Sequence, residues 1–166
     1  ASAMLRGDAA AARCVERAGG NPLFLLQLLE NVREGADDKL PPTLQSLVMA
    51  RADRLPEADR TALLAASVLG QRLDLSALRW VLGDEAFTPT ALVAHELLER
   101  DGDELCFQHA LIREGVYSSL TRARRRALHA KAAECFRGSD ARAHAEHLER
   151  AEDDRAAQAY LAAARG

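Results

Sequence analysis

The sequence predicts a mainly α-helical chain that carries one small β-hairpin, and three observations support this. Ala, Leu, Arg and Glu dominate the composition, and these side chains lose little rotamer freedom in a helix. Alternating runs rich in Val, Ile and Thr are almost absent. Helix punctuation recurs along the chain, with Asp, Asn or Thr before an apolar run, Pro in the first turn and Gly at the end.

The elements follow in order from that punctuation. Asp8 is expected to cap an Ala-rich helix that runs to about Ala18, where Gly19 and Gly20 supply left-handed positions without steric cost. Asn21 then caps a second helix with Pro22 in its first turn, and Leu23 to Val32 is apolar almost all round, which predicts a buried N-terminal end. Gly35 closes it, and Ala36-Asp37-Asp38-Lys39 reads as a solvated connector. Thr43 to Arg54 forms the next helix, with Leu44, Leu47, Val48 and Leu55 on one side. Pro56-Glu57-Ala58-Asp59 opens a helix holding Leu64, Val68 and Leu69, closed by Gly70.

Gln71-Arg72-Leu73 reads as a short strand, Asp74 as the cap of a helix ending at Gly83, and Thr88-Pro89 as the start of a short helix to about His95. Leu97 to Arg100 and Glu104 to Gln108, joined through Asp101-Gly102-Asp103, read as a β-hairpin. That succession approaches the order of a winged helix. Helices are then expected over Ala110–Leu120, Arg122–Arg137, Asp140–Arg150 and Asp154–Arg165. Ala156, Ala159, Tyr160, Ala163 and Ala164 give the last of these the small-residue face that helix-turn-helix repeats use for close packing. A single such pair cannot bury its own face, so a longer array is expected.

With 166 residues and 48% hydrophobic content, the chain has material for one substantial core or two small ones. A net charge of -3 lacks the basic excess of a domain held by nucleic-acid phosphates. The 3 cysteines, Cys14, Cys106 and Cys135, are odd in number and widely spaced, as expected of reduced thiols rather than a disulfide framework or a zinc site. No apolar run approaches membrane-spanning length and nothing reads as a signal peptide, so a cytoplasmic protein without membrane contact is expected.

The most informative segment is Phe107-Gln108-His109-Ala110-Leu111-Ile112-Arg113-Glu114-Gly115-Val116-Tyr117. Leu105 and Phe107 share one strand face, and the apolar spacing changes at His109 to the helical set Ile112, Val116 and Leu120. A histidine at a strand-to-helix junction can touch a ligand. Together with Gly19-Gly20-Asn21-Pro22-Leu23-Phe24 and Leu40-Pro41-Pro42-Thr43-Leu44-Gln45, the segment resembles a known family. It is similar to the region that follows the ATP-binding core in signal-transduction ATPases with numerous domains, the STAND class of AAA+-related NTPases. Such regions occur in large LuxR-type transcriptional regulators and in ATPase-fused adenylate or guanylate cyclases.

The resemblance spans nearly the whole chain. It implies a helical lid segment over 1–38, a winged-helix-like domain over 39–120 and the start of a tetratricopeptide-like helical array over 121–166. It also implies that the motif Gly20-Asn21-Pro22 lies beside the adenine of a bound nucleotide, and that His109 reaches the β-phosphate of ADP to hold a closed, inactive state. The implied cofactors are ATP or ADP with magnesium in the parent protein, and none in this region alone. The implied partners are the chain's own nucleotide-binding core, an effector domain, and a protein or small-molecule signal at the helical array. Read from the residues alone, Gly20, Asn21 and Pro22 are a helix stop, a cap and a helix start, while His109 caps the following helix or satisfies a core hydrogen bond. Ala110 follows His109 where the related switch proteins often carry an aspartate.

No Gly-rich loop ending in Lys followed by Ser or Thr is present to cradle phosphates, and no apolar strand ends in paired carboxylates for magnesium. This chain is therefore expected not to be an enzyme by itself. Arg113 and Glu114 read as an internal ion pair or as contacts to a neighbouring subdomain. Arg122, Arg124, Arg125 and Arg126 read as a solvated basic face, with a phosphate or nucleic-acid site as the alternative. His144 and His147 lie three apart on a helix, but without further well-placed ligands they read as surface residues rather than as zinc ligands.

The leading expectation is a non-catalytic regulatory region that couples nucleotide state to an effector, whether transcription activation or cyclic-nucleotide synthesis. The alternative is a DNA-binding winged-helix regulator. Direct DNA binding is disfavoured because Thr90, Ala91, Leu92, Val93 and Ala94 offer no side chains that read base edges, and the hairpin turn is acidic.

Overall fold

The computed structural model describes residues 11–33, 42–102 and 104–165, which form a mainly helical assembly with a small antiparallel three-stranded sheet. Asp8, Gly35, the connector at 36–39, the first residues of the Leu40-Pro41-Pro42 motif and the expected boundary near residue 38 lie outside the described residues.

Helix α1 (11–18) buries Cys14 and Ala18 at i, i+4 spacing, and Gly19 (φ 53°) and Gly20 (φ 81°) then turn the chain. Helix α2 (Pro22–Arg33) is capped by Asn21, whose Oδ1 accepts from the backbone N–H groups of Leu23 (3.0 Å) and Phe24 (3.4 Å). Its buried stripe is Phe24 and Leu28. Leu23 (49% exposed) and Leu26 (60%) face outward, so the expectation of a buried N-terminal end fails for all but Phe24. The run is apolar all round, but α1 and α3 can cover only one side of it.

Helix α3 (Pro42–Ala52) buries Leu44, Val48 and Ala52 in a single i, i+4 stripe. Helix α4 (Glu57–Leu69) carries Glu57 and Asp59 in its first turn, where they complement the helix dipole. It buries Ala62, Leu63, Ala65, Ala66, Ser67 and Val68, almost its whole circumference, because α5, α7 and α8 pack on different sides of it. Each large apolar side chain so enclosed contributes on the order of 1.5–3 kcal/mol of transfer free energy.

Strand β1 (Arg72–Asp74) leads into α5 (Leu75–Leu82), which buries Ala77, Leu78 and Val81 and stops at left-handed Gly83. Asp74 occupies the N-cap position, but its side chain makes no capping bond. Helix α6 (Thr90–Ala94) is short and buries Leu92. Strands β2 (Leu98–Asp101) and β3 (Glu104–Phe107) form the expected hairpin, and β1 joins its far side to give the order β1-β3-β2. Leu73 pairs with Leu105 and Leu98 with Phe107, so the inward side chains come from adjacent strands.

Helix α7 (Ala110–Ser119) packs on α3 and α4 through Leu111, Ile112 and Val116. Helix α8 (Arg122–Phe136) is capped by the Thr121 hydroxyl, which accepts from the Arg124 N–H, and rests on α4 and α5. Helix α9 (Ala141–Arg150), capped by the Asp140 carboxylate, lies on α8, and α10 (Ala156–Ala163) lies on α9. The small-residue face of α10 is only half covered, and none of its residues is buried.

His147 is not the surface residue its helix suggested: it is 5% exposed and packs against α8. The stripe His144, His147, Leu148 and Ala151 faces inward, and His147 falls within it. The three cysteines are all free thiols.

Candidate functional site

Residues far apart in the chain meet at the strand-to-helix junction. His109 follows β3 in extended conformation (φ -142°, ψ 141°) and occupies the N-cap position of α7, but its ring makes no capping bond. The ring packs edge-on against Phe24, with centroids 5.7 Å apart and planes at 81°. It also sits beside the Gly19 turn, where a Cβ built on Gly19 would come within 3.2 Å of His109 Nδ1. Glycine at position 19 thus satisfies two demands, a left-handed backbone and a close imidazole.

The contact is held by a second link. One Arg17 guanidinium nitrogen lies 2.9 and 2.8 Å from the two carboxylate oxygens of Glu114, tying α1 to the second turn of α7. Arg113 and Glu114 therefore do not form the internal pair that was one expectation. Glu114 reaches the first helical segment, and Arg113 donates from Nε to the Ser67 carbonyl at 3.0 Å.

Of the expected nucleotide-motif residues, Asn21 is engaged as a cap, and Pro22 and Gly20 are exposed. A Cβ on Gly20 would meet nothing within 4 Å. The structure brings Gly19 and Phe24, rather than Gly20 and Pro22, against His109. Beside them lies a cavity of about 210 Å³ lined by Leu23, Phe24, Leu47, Val48 and Ile112 as apolar walls and by Asn21, Arg51 and Arg54 as polar ones. The apolar walls can accept a flat or aliphatic body, and the exposed Arg51 and Arg54 place positive charge next to it. Sequence reasoning missed these two arginines, because nothing local marks which exposed cations of a helix will border a neighbour.

The basic run at 122–126 has a structural employment that reading it as a solvated face did not supply. Arg125 lies over the Tyr117 ring, 4.6 Å from its centroid, and donates to the Leu120 carbonyl at 3.2 Å, at the C-terminal end of α7. Arg126 donates to the Ala151 carbonyl at the end of α9, and Arg122 grips both carboxylate oxygens of Glu152 at 2.8 and 2.6 Å. Cations at the start of α8 oppose its own dipole but serve the C-terminal carbonyls of α7 and α9.

Among the described residues, no group of three or more His, Cys, Asp or Glu side chains is gathered to hold a metal ion, and no helix is long and apolar enough to cross a membrane. Compared with known protein families, curated proteins and solved structures, the chain gives no match.

Proposed function

We propose that this chain is the non-catalytic regulatory region of a multidomain signal-transduction ATPase. Residues 1–38 act as a helical lid, 39–120 as a winged-helix-like domain and 121–166 as the start of a tetratricopeptide-like array. Lid and winged helix close over a nucleotide-binding core that carries ATP or ADP with magnesium, and the helical array relays that state to an effector that activates transcription or makes a cyclic nucleotide.

The observation that carries this reading is the meeting of the Gly19–Phe24 turn with His109. Two short motifs distant in sequence meet there, with buried Phe24 and the Gly19 turn packed against a partly buried imidazole. An imidazole at the start of α7 suits an anion such as a nucleotide phosphate, and the apolar turn with Gly20, Asn21 and Pro22 suits its base. The element order α3, α4, β1, α5, α6, β2, β3 supports the winged-helix part. DNA readout has no part in this proposal: α6 offers only Thr90, Ala91, Leu92, Val93 and Ala94, and the hairpin carboxylates Asp101 and Glu104 are already held by Arg72.

The test is ADP retention by the full-length ATPase. Loss of a charge-assisted hydrogen bond costs roughly 1.5–3 kcal/mol, so His109→Ala is expected to speed ADP release by about tenfold or more and to raise basal activity. Unchanged ADP release together with unchanged basal output would remove the proposal.

A further inference from the structure

Three helices meet around a chain of polar groups for which the nucleotide reading has no use. Tyr117 Oη on α7 lies 2.9 Å from His129 Nε2 on α8, and His129 Nδ1 lies 2.8 Å from His147 Nδ1 on α9. His129 is fully buried and His147 is 5% exposed. The Phe136 ring stacks parallel to His147, 5.4 Å away, and closes its open side.

Two facing Nδ1 atoms at that distance share a single proton, one ring donating and the other accepting. When His129 donates from Nδ1, its Nε2 accepts from the Tyr117 hydroxyl; when His147 donates, His129 Nε2 is itself the donor to Tyr117. Either way the pair is neutral and its order depends on one proton. A second proton in the gap removes the acceptor and sets two N–H groups face to face, one of them on a buried imidazolium.

We propose that the Tyr117–His129–His147 chain is a proton-operated latch. With the histidine pair neutral it holds the α9–α10 hairpin against α8, and protonation releases that hairpin while α3 to α7 stay folded. The packing has the required asymmetry, since α9 rests principally on α8 and α10 on α9, whereas α8 is held independently by α4 and α5.

The surroundings oppose a charged pair. Arg113 on α7, Arg125 on α8 and Arg150 on α9 face it with positive charge. Glu146 on α9 faces it with negative charge but is engaged by Arg142 at 2.9 Å. From the α4–α5 side, Asp74 faces Cys135, and Lys131 Nζ donates to the Val81 carbonyl. Burial, then His147 and then the three arginines hold His129 down to about 3, and burial followed by Arg150 holds His147 down to about 4.

A released histidine titrates near its ordinary value of about 6.5, so the opened hairpin binds more protons than the closed one between that value and the folded ones. The latch is therefore at full strength above neutral pH and weakens as pH falls through 6 towards 4. Two histidines taking up protons on opening raise the opening constant several hundred-fold, roughly, between pH 7.5 and 5.0. Other links across the seam do not share this window. Glu152 is lowered by Arg122, which reaches it from α8, so it remains charged. His144 donates from Nδ1 to the Ala133 carbonyl at 2.7 Å.

Hydrogen exchange on the whole chain at pH 7.5 and 5.0, corrected for intrinsic exchange, tests the latch. Amides of α9 and α10 should lose several hundred-fold in protection while those of α4 keep theirs. His147→Gln should reduce that pH response to a few tens-fold, and Tyr117→Phe, which leaves the histidine pair in place, should retain it. Equal protection of α9 at both pH values, loss in step with α4, or a full response in His147→Gln would overturn the proposal. If His147→Gln does not fold, nitrogen NMR of the native histidines decides: both rings must stay neutral in the closed hairpin at pH 5.0, and a closed form with a charged ring would refute the latch.

Discussion

Arg17 and Glu114, 97 residues apart in sequence, form the ion pair that pins the first helical segment to the helix after His109. Both side chains are partly exposed, at 26% and 39%, which places the pair near the modest end of ion-pair energies. Glu114→Gln is expected to cost about 0.5–1 kcal/mol. Hydrogen exchange should register this as a several-fold loss of protection in α1 and α2, with α4 unaffected.

Gly19 and Gly20 are consecutive left-handed residues with different surroundings, and substitution separates the two effects. Gly20→Ala meets open space and pays only for its backbone, about 1 kcal/mol. Gly19→Ala adds a contact at 3.2 Å with His109 Nδ1, so the imidazole must move. Chemical denaturation should rank Gly19→Ala as the more destabilising, and only that variant should shift the His109 ring resonances.

Phe107 is 1% exposed at the centre of the sheet, whereas Trp80, the single tryptophan, is 46% exposed on α5. Phe107→Ala is expected to cost roughly 3–5 kcal/mol and Trp80→Phe to stay within about 0.5 kcal/mol of the parent. Urea titration followed by far-ultraviolet circular dichroism, which does not depend on the tryptophan, compares them.

Thr121 and Asp140 accept backbone N–H groups at the starts of α8 and α9, whereas Asp74 holds the same position before α5 without such a bond. Thr121→Ala and Asp140→Ala should each lose about 1 kcal/mol, and Asp74→Ala should be nearly neutral. Equal losses at all three positions in thermal denaturation would contradict the capping geometry.

What could be read from the sequence follows the range of the interaction. The Asn21 cap, the Gly83 stop and the hairpin at 98–107 rest on contacts within a few residues, and local chemistry signals them. The pairing of β1 with the far side of β3 joins Leu73 to Leu105, and no turn residue announces it. The same limit applied at the candidate site. Asn21 and His109 stood out by position, but the close approach of Gly19 to His109, and the cavity edge at Arg51 and Arg54, depend on how α1 and α2 settle on the rest. His129 escaped notice for a different reason. It falls within the inward stripe Leu128, Ala132, Ala133, where an apolar neighbour set made it look like ordinary helix, although a buried imidazole needs a partner and His147 was the available one.

Strand β3 is flanked by β1 and β2, so the backbone leading into His109 is hydrogen-bonded along both edges. The turn at Gly19 and Gly20 is not part of the sheet; the Arg17–Glu114 ion pair, the Phe24–His109 contact and the buried side chains of Cys14, Ala18 and Leu28 dock the segments on either side of it. The imidazole is thus held by the sheet, and the glycine turn is held only through the helices on either side of it. A partner that wedges between them would lever α1 and α2 away and leave the sheet where it stands.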